Sequence, residues 1–164
     1  MSHASDDAAT LDALNRRVHA GLDGWLLSFL EATTALDMAA ATEHFRHFER
    51  SLRLHAGLED EVVIPAYAAL GDHPRGAGPE LFSADHTSLR KVLGQCDAEL
   101  QALGGSPTRR EMVLALPTLL RLRSVLEHHD VREERFLYIR LDEELEAADV
   151  RPLRAALIRC LDDL

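Results

Sequence analysis

The sequence predicts an all-α fold, an up-down-up-down four-helix bundle with a short C-terminal fifth helix. Apolar residues make up 46% of the 164-residue chain and recur at spacings of three and four, which is the period of a helix. No stretch shows the strict alternation that is typical of a half-buried strand. Turn-forming residues divide the chain into four long segments, and their short connections favour antiparallel packing of neighbours.

The first two helices are delimited by capping and turn residues. The first is predicted from about Asp7 to Thr34. Asp37 is a good N-cap for the second, which should cover about 38–70. The segment 71–78 is rich in Gly and Pro and is therefore predicted to be a loop.

Proline and glycine also delimit the third and fourth helices. Pro79 suits the first position of the third helix, which should end at Gly104-Gly105. Ser106-Pro107 predicts the start of the fourth helix, which should run to about Glu146. Pro117 should kink that helix or mark its true start.

The fifth helix is predicted at about 152–163 and should pack on the outside of a bundle at about 7–146. Together these segments predict one domain over residues 1–164. The apolar face of the fifth helix could mediate a homodimer through Leu153, Leu157 and Leu161.

Charge and cysteine content exclude several classes of function. The 28 acidic and 18 basic residues give a net charge of -10, which repels nucleic-acid phosphates and anionic lipids. We therefore expect no nucleic-acid or membrane partner. The first seven residues lack the basic start and apolar stretch of a secretory signal, and two cysteines make no disulfide framework. These features predict a cytoplasmic protein.

Two helices carry a His and a Glu, four residues apart, on otherwise apolar stripes. On the second helix His55 and Glu59 interrupt the stripe, and on the fourth His129 and Glu133 do so. Residues four apart lie on the same face of a helix, so each pair should point into the bundle. The stripes are Ala41, Phe45, Phe48, Leu52, His55, Glu59, Val62 and Ala66, and Leu119, Leu122, Leu126, His129, Glu133 and Phe136.

The other two helices each add one inward-facing histidine. His86 interrupts an apolar stripe on the third helix, and His19 lies on the inner side of the first. His19 and His55 lie equally far from the turn at Asp37, so they should meet at one level. The second and fourth helices are diagonal in such a bundle, which places the two His-Glu pairs opposite each other.

Four imidazoles and two carboxylates in an apolar interior require a source of positive charge. Each buried, unpaired carboxylate costs several kcal/mol, against a net domain stability of about 5–15 kcal/mol. Two metal ions meet this need, each with two His and both bridging Glu, and with an oxo or hydroxo bridge. The imidazole and carboxylate ligands favour iron or manganese, with zinc as a further alternative.

Other residues leave alternatives open. His128 to Glu133 is a competing register for the fourth helix, although His128 shares its face with several Arg. Asp23 is either an extra ligand or an exposed acid. His44 and His47 lie at the edge of the second helix's stripe, where they could form a surface metal pair. Cys96 is predicted to be a small core residue.

The segment His55-Ala-Gly-Leu-Glu59-Asp-Glu-Val-Val-Ile-Pro65 resembles the signature of the hemerythrin-like, HHE cation-binding family. A second copy begins at His129 and matches through its acidic pair, with Ile139 at the position of the proline. The resemblance covers nearly the whole chain. It implies metal ligation by His19, His55, Glu59, His86, His129 and Glu133, with the two Glu as bridges.

Departures from the oxygen carriers of this family bear on function. Those proteins have a second His one turn after the third-helix ligand, where this chain has Arg90. They also end the last motif with Asp after a longer spacing, where this chain has Glu133. The resemblance therefore implies a sensor of iron or oxygen, or a protein that responds to nitric oxide and repairs iron-sulfur clusters. The N-terminal cysteine segment of the repair proteins is absent from residues 1–11.

The leading hypothesis is a di-iron protein that binds or senses O2, NO or peroxide. The alternatives are a peroxide- or NO-processing or iron-sulfur repair enzyme, and a metal-free helical interaction module. The apolar stripes contain no additional acid-base residue that would favour an enzyme. The predicted apolar lining of the ligand pocket is Leu22, Leu26, Phe48, Leu52, Leu89, Leu93, Leu122 and Leu126.

Overall fold

A computed structural model describes residues 9–164, and within that range every regular element is a helix and there is no strand. This confirms the all-α prediction. No described helix is both long and apolar enough to cross a membrane. The helices are α1 (Leu11–Thr34), α2 (Met38–Leu58, a π-helical turn at Glu59–Val63, and Ile64–Ala69), α3 (Pro79–Leu103), α4 (Arg109–Arg132, a π-helical turn at Glu133–Leu137, and Tyr138–Glu144) and α5 (Ala147–Asp163).

Helix α1 begins later than the predicted start near Asp7, a residue that lies outside the described range. Thr10 is its N-cap and accepts a hydrogen bond from the backbone N–H of Ala13. The first backbone N–H groups, of Leu11 and Asp12, donate to the carboxylate of Asp142 at 2.8 and 2.9 Å. A carboxylate at a helix N-terminus satisfies unpaired donors and suits the helix dipole. The start of α1 is thus tied to the end of α4.

The start of α4 differs from the predicted cap at Ser106-Pro107. The N-cap is Thr108, which forms a capping box with Glu111. The Thr108 hydroxyl accepts from the Glu111 N–H, and the Glu111 carboxylate accepts from the Thr108 N–H at 2.7 Å. Ser106 has Arg109 three residues on, which cannot reciprocate in this way. Pro117 lies inside the helix, so the prediction that it marks the true start is wrong.

Helix α5 begins at Ala147, five residues before the predicted start, and continues through Pro152. It packs across α1 and α2 on the outside of the four long helices, as expected. Leu153 and Leu157 are buried in this contact, which removes them from the surface proposed for a homodimer. The homodimer itself stays a prediction.

The last residues of the chain fasten α5 to α1 and α2. The indole N–H of Trp25 donates to the backbone carbonyl of Leu164 at 3.2 Å, and the Ser51 hydroxyl donates to the Asp163 carboxylate at 2.9 Å. The Leu164 side chain lies against Gly21, where a Cβ would come within 2.5 Å of it. The close approach of Leu164 accounts for a glycine in the middle of α1.

Rising residue numbers in one long helix contact falling residue numbers in the next. Neighbouring long helices therefore run in opposite directions. This holds for α1 with α2, α2 with α3, α3 with α4, and α4 with α1. The up-down-up-down bundle stays a prediction, with which these contacts agree. Two contacts for each pair of helices, in this order, are Phe29–Phe45 and His19–His55, Tyr67–Phe82 and Asp60–Arg90, Asp85–Arg132 and Cys96–Thr118, and Leu11–Asp142 and Arg16–Glu134.

The capping box gives a direct test of where α4 begins. Thr108→Ala should lower the free energy of unfolding by about 1 kcal/mol, because it leaves a helix N–H without its acceptor. The control Ser106→Ala should be nearly neutral, since Ser106 is exposed and precedes the cap. Urea unfolding followed by circular dichroism measures both. Equal losses from the two variants would contradict the cap assignment.

Candidate metal centre

Six polar side chains from four helices converge in the apolar core. None of them is more than 4% exposed. They are the six residues predicted from the stripes, namely His19 on α1, His55 and Glu59 on α2, His86 on α3, and His129 and Glu133 on α4.

Glu133 lies between two pairs of imidazoles. Its Oε2 atom is 3.2 Å from Nε2 of His19 and 4.0 Å from Nε2 of His55. Its Oε1 atom is 3.2 Å from Nε2 of His129 and 3.7 Å from Nε2 of His86. The two carboxylate oxygens therefore face different histidine pairs.

Glu59 spans the same two pairs from the other side. Its Oε2 atom is 3.4 Å from Nε2 of His55 and 3.2 Å from Nε2 of His86. Its Oε1 atom accepts a hydrogen bond from the buried phenol of Tyr138. One oxygen thus faces the centre of the cluster, and the other is held by a neighbour.

The ligand atoms that face the centre of the cluster have no hydrogen-bond partners. This observation indicates whether the cluster suits a cation. Oε2 of Glu59, both carboxylate oxygens of Glu133 and Nε2 of His86 and His129 are buried without a hydrogen bond. Buried polar atoms are rarely left in this state. Ligand atoms that share one metal at about 2.0–2.2 Å lie about 3.0–3.5 Å apart, which matches the shortest nitrogen–oxygen distances here. One ligand atom from each of His55, Glu59, His129 and Glu133 lies within 4.8 Å of the others. The residues fit a metal-binding group.

The two carboxylates carry opposite pKa shifts. Burial raises the pKa of Glu59, but the three imidazoles of His55, His86 and His129 outweigh it and hold the pKa well below its usual range. Burial and the nearby charge of Glu59 raise the pKa of Glu133. The first carboxylate is therefore charged in the core and disfavours charge on the second.

Two of the histidines supply positive charge when no cation is bound. Burial lowers the pKa of His19, but Glu133 and Asp130 raise it to about 9. Burial also lowers the pKa of His86, but the surrounding carboxylates of Glu133, Glu59 and Asp60 outweigh it and raise the pKa to about 11. Burial lowers the pKa of His55 to about 4. A cation that enters the cluster must displace the protons of His19 and His86, so binding weakens as the pH falls.

Each acidic ligand candidate begins a π-helical turn. The N–H of Ile64 donates to the carbonyl of Glu59, and the N–H of Tyr138 donates to the carbonyl of Glu133. Both bonds span five residues instead of four, and such turns occur frequently at functional sites. The second turn forms with Ile139 where the first copy has Pro65, so the proline is not required for it.

The π-helical turns overturn part of the predicted stripes. On α2 the stripe was expected to continue at Val62 and Ala66, but both are only partly buried, and Val63 and Tyr67 are buried instead. One extra residue in the turn rotates the rest of the helix by about 100°.

The same shift occurs on α4. Phe136, the predicted inward residue, is only partly buried, whereas Leu137, Tyr138 and Leu141 are buried. This rotation brings the Tyr138 phenol to Glu59, a contact that the stripe pattern did not predict.

The predictions also missed the residues that orient His86. Its Nδ1 atom is 2.7 Å from Oδ1 of Asp60, and the other Asp60 oxygen accepts from the Arg90 guanidinium. A carboxylate on the outer nitrogen fixes the tautomer and orientation of a ligand histidine. The feature of the sequence that could have indicated Asp60 is its position directly after Glu59 in the His-x-x-x-Glu motif. Arg90 occupies the position where the oxygen carriers have a second His, and its hydrogen bond holds the Asp60 carboxylate in place.

The remaining candidates lie outside the cluster. His128 and Asp23 are exposed. His47 stacks on Trp25 with ring centroids 4.6 Å apart, and His44 lies 5.8 Å from the same indole. Both histidines are therefore edge residues held by an aromatic side chain.

The apolar residues expected to line a ligand pocket are all part of the core. Every one of them is buried, and all lie on the side of the cluster that faces the α1–α2 and α3–α4 turns. They are Leu22, Leu26, Phe48, Leu52, Leu89, Leu93, Leu122 and Leu126. This side of the cluster is apolar, as predicted.

Comparison with known proteins accords with this geometry. The family model of the hemerythrin HHE cation-binding domain matches residues 6–109. The chain belongs to this family. The match includes His19, His55, Glu59 and His86, and the fold adds His129 and Glu133 from beyond it. No curated protein and no solved structure matches the chain. This member of the hemerythrin HHE family thus has a buried His/Glu cluster that can hold a metal cation.

The contact of Asp60 with His86 predicts a measurable effect on metal affinity. Asp60→Asn should weaken metal binding about 10- to 100-fold, because the His86 ring loses the carboxylate that orients it. Glu61→Gln is the matched control, since it removes the same charge from the next, exposed position and should leave affinity unchanged. Competition with a chelator of known affinity measures both variants. An unchanged affinity in Asp60→Asn would show that this carboxylate does not support the site.

Proposed function

We propose that this chain is a non-haem di-iron protein that binds or senses a small ligand such as O2, NO or peroxide. The observation that carries the proposal is the set of buried nitrogen and oxygen atoms that face one point without hydrogen-bond partners. The proposed ligands are His19, His55, Glu59, His86, His129 and Glu133, arranged on an up-down-up-down four-helix bundle. Manganese or zinc could use the same ligands.

Different residues of the protein would bind the metal, orient its ligands and exclude water at such a site. Glu133 faces one histidine pair with each oxygen and Glu59 lies between the pairs, so both are proposed to bridge two ions. When bound, iron supplies an open coordination position and a change of oxidation state. Tyr138 and Asp60 hold Glu59 and His86 in place. Leu and Phe side chains exclude water on one side and favour small apolar ligands.

Tyr138 favours a second candidate function, a peroxide- or NO-processing enzyme. Its buried hydroxyl donates to Glu59 and is the kind of group that can supply a proton near bound peroxide. Turnover separates the two functions, since a carrier or sensor binds its ligand once, whereas an enzyme consumes it repeatedly. Consumption of peroxide or NO with a chemical reductant, compared between the natural protein and Tyr138→Phe, distinguishes them.

The proposed setting is the reducing cytoplasm, with a small molecule as partner and neither nucleic acid nor membrane. Both cysteines are buried and free, which is consistent with a reducing compartment. The net charge of -10 opposes binding to phosphate backbones.

Loss of either bridging carboxylate should abolish iron binding. Untagged protein loaded anaerobically with iron should hold about two ions per chain by elemental analysis. Glu59→Ala and Glu133→Ala should each hold fewer than about one, because each removes a ligand and charge from both ions. Glu143→Gln, an exposed change on α4, should retain the natural content. Two irons in both Ala variants would refute the ligand assignment, and fewer than one in the natural protein would favour the metal-free module.

The visible absorption spectrum identifies the small ligand. Iron-loaded protein should change its spectrum on exposure to O2, NO or peroxide, because an open position lets the ligand bind iron directly. Reversal of the change under vacuum would indicate binding of O2. A change that is reversed only by an added chemical reductant would indicate sensing by oxidation of the iron. A spectrum that is unchanged by all three would contradict a role in binding these molecules.

A further inference from the structure

Three carboxylates line the seam between α1 and α4 outside the metal centre. Oε1 of Glu134 is 3.5 Å from Nδ1 of His19, and Oδ1 of Asp130 is 3.6 Å from Nε2 of the same ring. Asp23 lies one turn along α1 from His19, on the same face of that helix. Their exposure increases outward, from the mostly buried Asp130 to the exposed Asp23. The three carboxylates therefore lie between the solvent and the His19 ring.

His19 is the point where the cluster comes closest to solvent. It is 4% exposed, whereas His55 and His86 are 0% and His129 is 1% exposed. Its Nε2 atom faces Glu133, but its Nδ1 atom is buried, lacks a hydrogen bond and is directed to Glu134. The outer nitrogen of His86, by contrast, is occupied by Asp60. The α1–α4 seam therefore brings unpaired ligand atoms of His19 and Asp130 close to solvent.

Asp130 is a mostly buried carboxylate with one oxygen that has no hydrogen bond. Its Oδ1 atom is buried without a hydrogen bond. Glu134 has one oxygen paired with Arg16, which leaves the other directed to His19. A carboxylate held near other carboxylates creates a negative potential that attracts cations, and its oxygens are preferred ligands of hydrated divalent ions.

We propose that Asp130, together with Glu134 and His19, forms a transient binding site through which a divalent cation enters the metal centre. The cation would first be held by Oδ1 of Asp130 and then by a nitrogen of His19, whose proton leaves to solvent. It would next pass to Oε2 of Glu133, 3.2 Å from that ring. Asp23 attracts the hydrated ion at the surface. This inference rests on the proposed metal centre and concerns the rate of loading rather than the final ligand set.

The rate at which metal-free protein binds Co²⁺ tests this proposal, with the visible absorption of the bound ion as the signal. Asp130→Asn should slow uptake about five- to tenfold at low salt and reach the same final number of ions per chain. Raising the salt concentration should slow the natural protein more than the variant, because salt screens the attraction. Asp130→Glu, which keeps a carboxylate, should recover part of the rate.

Asp85→Asn is the matched control, since Asp85 is a similarly exposed carboxylate on the opposite seam, paired with Arg132 at 2.7 Å. It should bind Co²⁺ at the natural rate. Asp23→Asn changes an exposed residue and should slow uptake about twofold, which keeps the test decisive if Asp130→Asn does not fold. An unchanged rate in the folded Asp130→Asn and Asp23→Asn variants, equal slowing in Asp85→Asn, or a lower final metal content in Asp130→Asn would overturn the entry site. No Co²⁺ binding by the natural protein would instead refute the metal centre.

Discussion

The structure depends on the burial of two carboxylates, Glu59 and Glu133, in the interior of a helical protein. Within residues 9–164 no Arg or Lys forms an ion pair with either carboxylate, and imidazoles surround both. An ionised carboxylate in such a place needs positive charge within contact distance. Protons on His19 and His86 supply it in the metal-free state. Cations can supply it with more charge and more ligand bonds, so the same arrangement that would destabilise a metal-free core suits a metal-binding one.

The π-helical turns explain how two ordinary helices present this chemistry. Each turn starts at the acidic residue of a His-x-x-x-Glu motif and rotates the following segment. The acidic residue can then face the cluster while the next turn buries a different face of the helix. On α4 this rotation brings Tyr138 to Glu59. On α2, Asp60 directly follows Glu59 and lies beside His86. The motif thus positions its own supporting residues.

The surroundings of the cluster differ from one side to another. Towards the tight turns it meets leucine and phenylalanine side chains, whereas the α1–α4 seam carries carboxylates and the least buried histidine. Apolar walls admit small uncharged molecules, and carboxylates attract hydrated cations. The proposed centre would therefore receive its metal and its small ligand from different directions.

Periodicity along single helices was enough to predict the helical class and the six residues of the cluster. His55 with Glu59 and His129 with Glu133 stand out in the chain as polar groups on apolar stripes. The conformation after each Glu became visible only in the folded protein, since a π-helical turn changes the period and makes Val62 and Phe136 poor predictions. The contacts of Asp60, Asp130 and Tyr138 also became visible only there. Each of these residues contacts another helix, and such contacts leave no periodic trace in the amino-acid sequence.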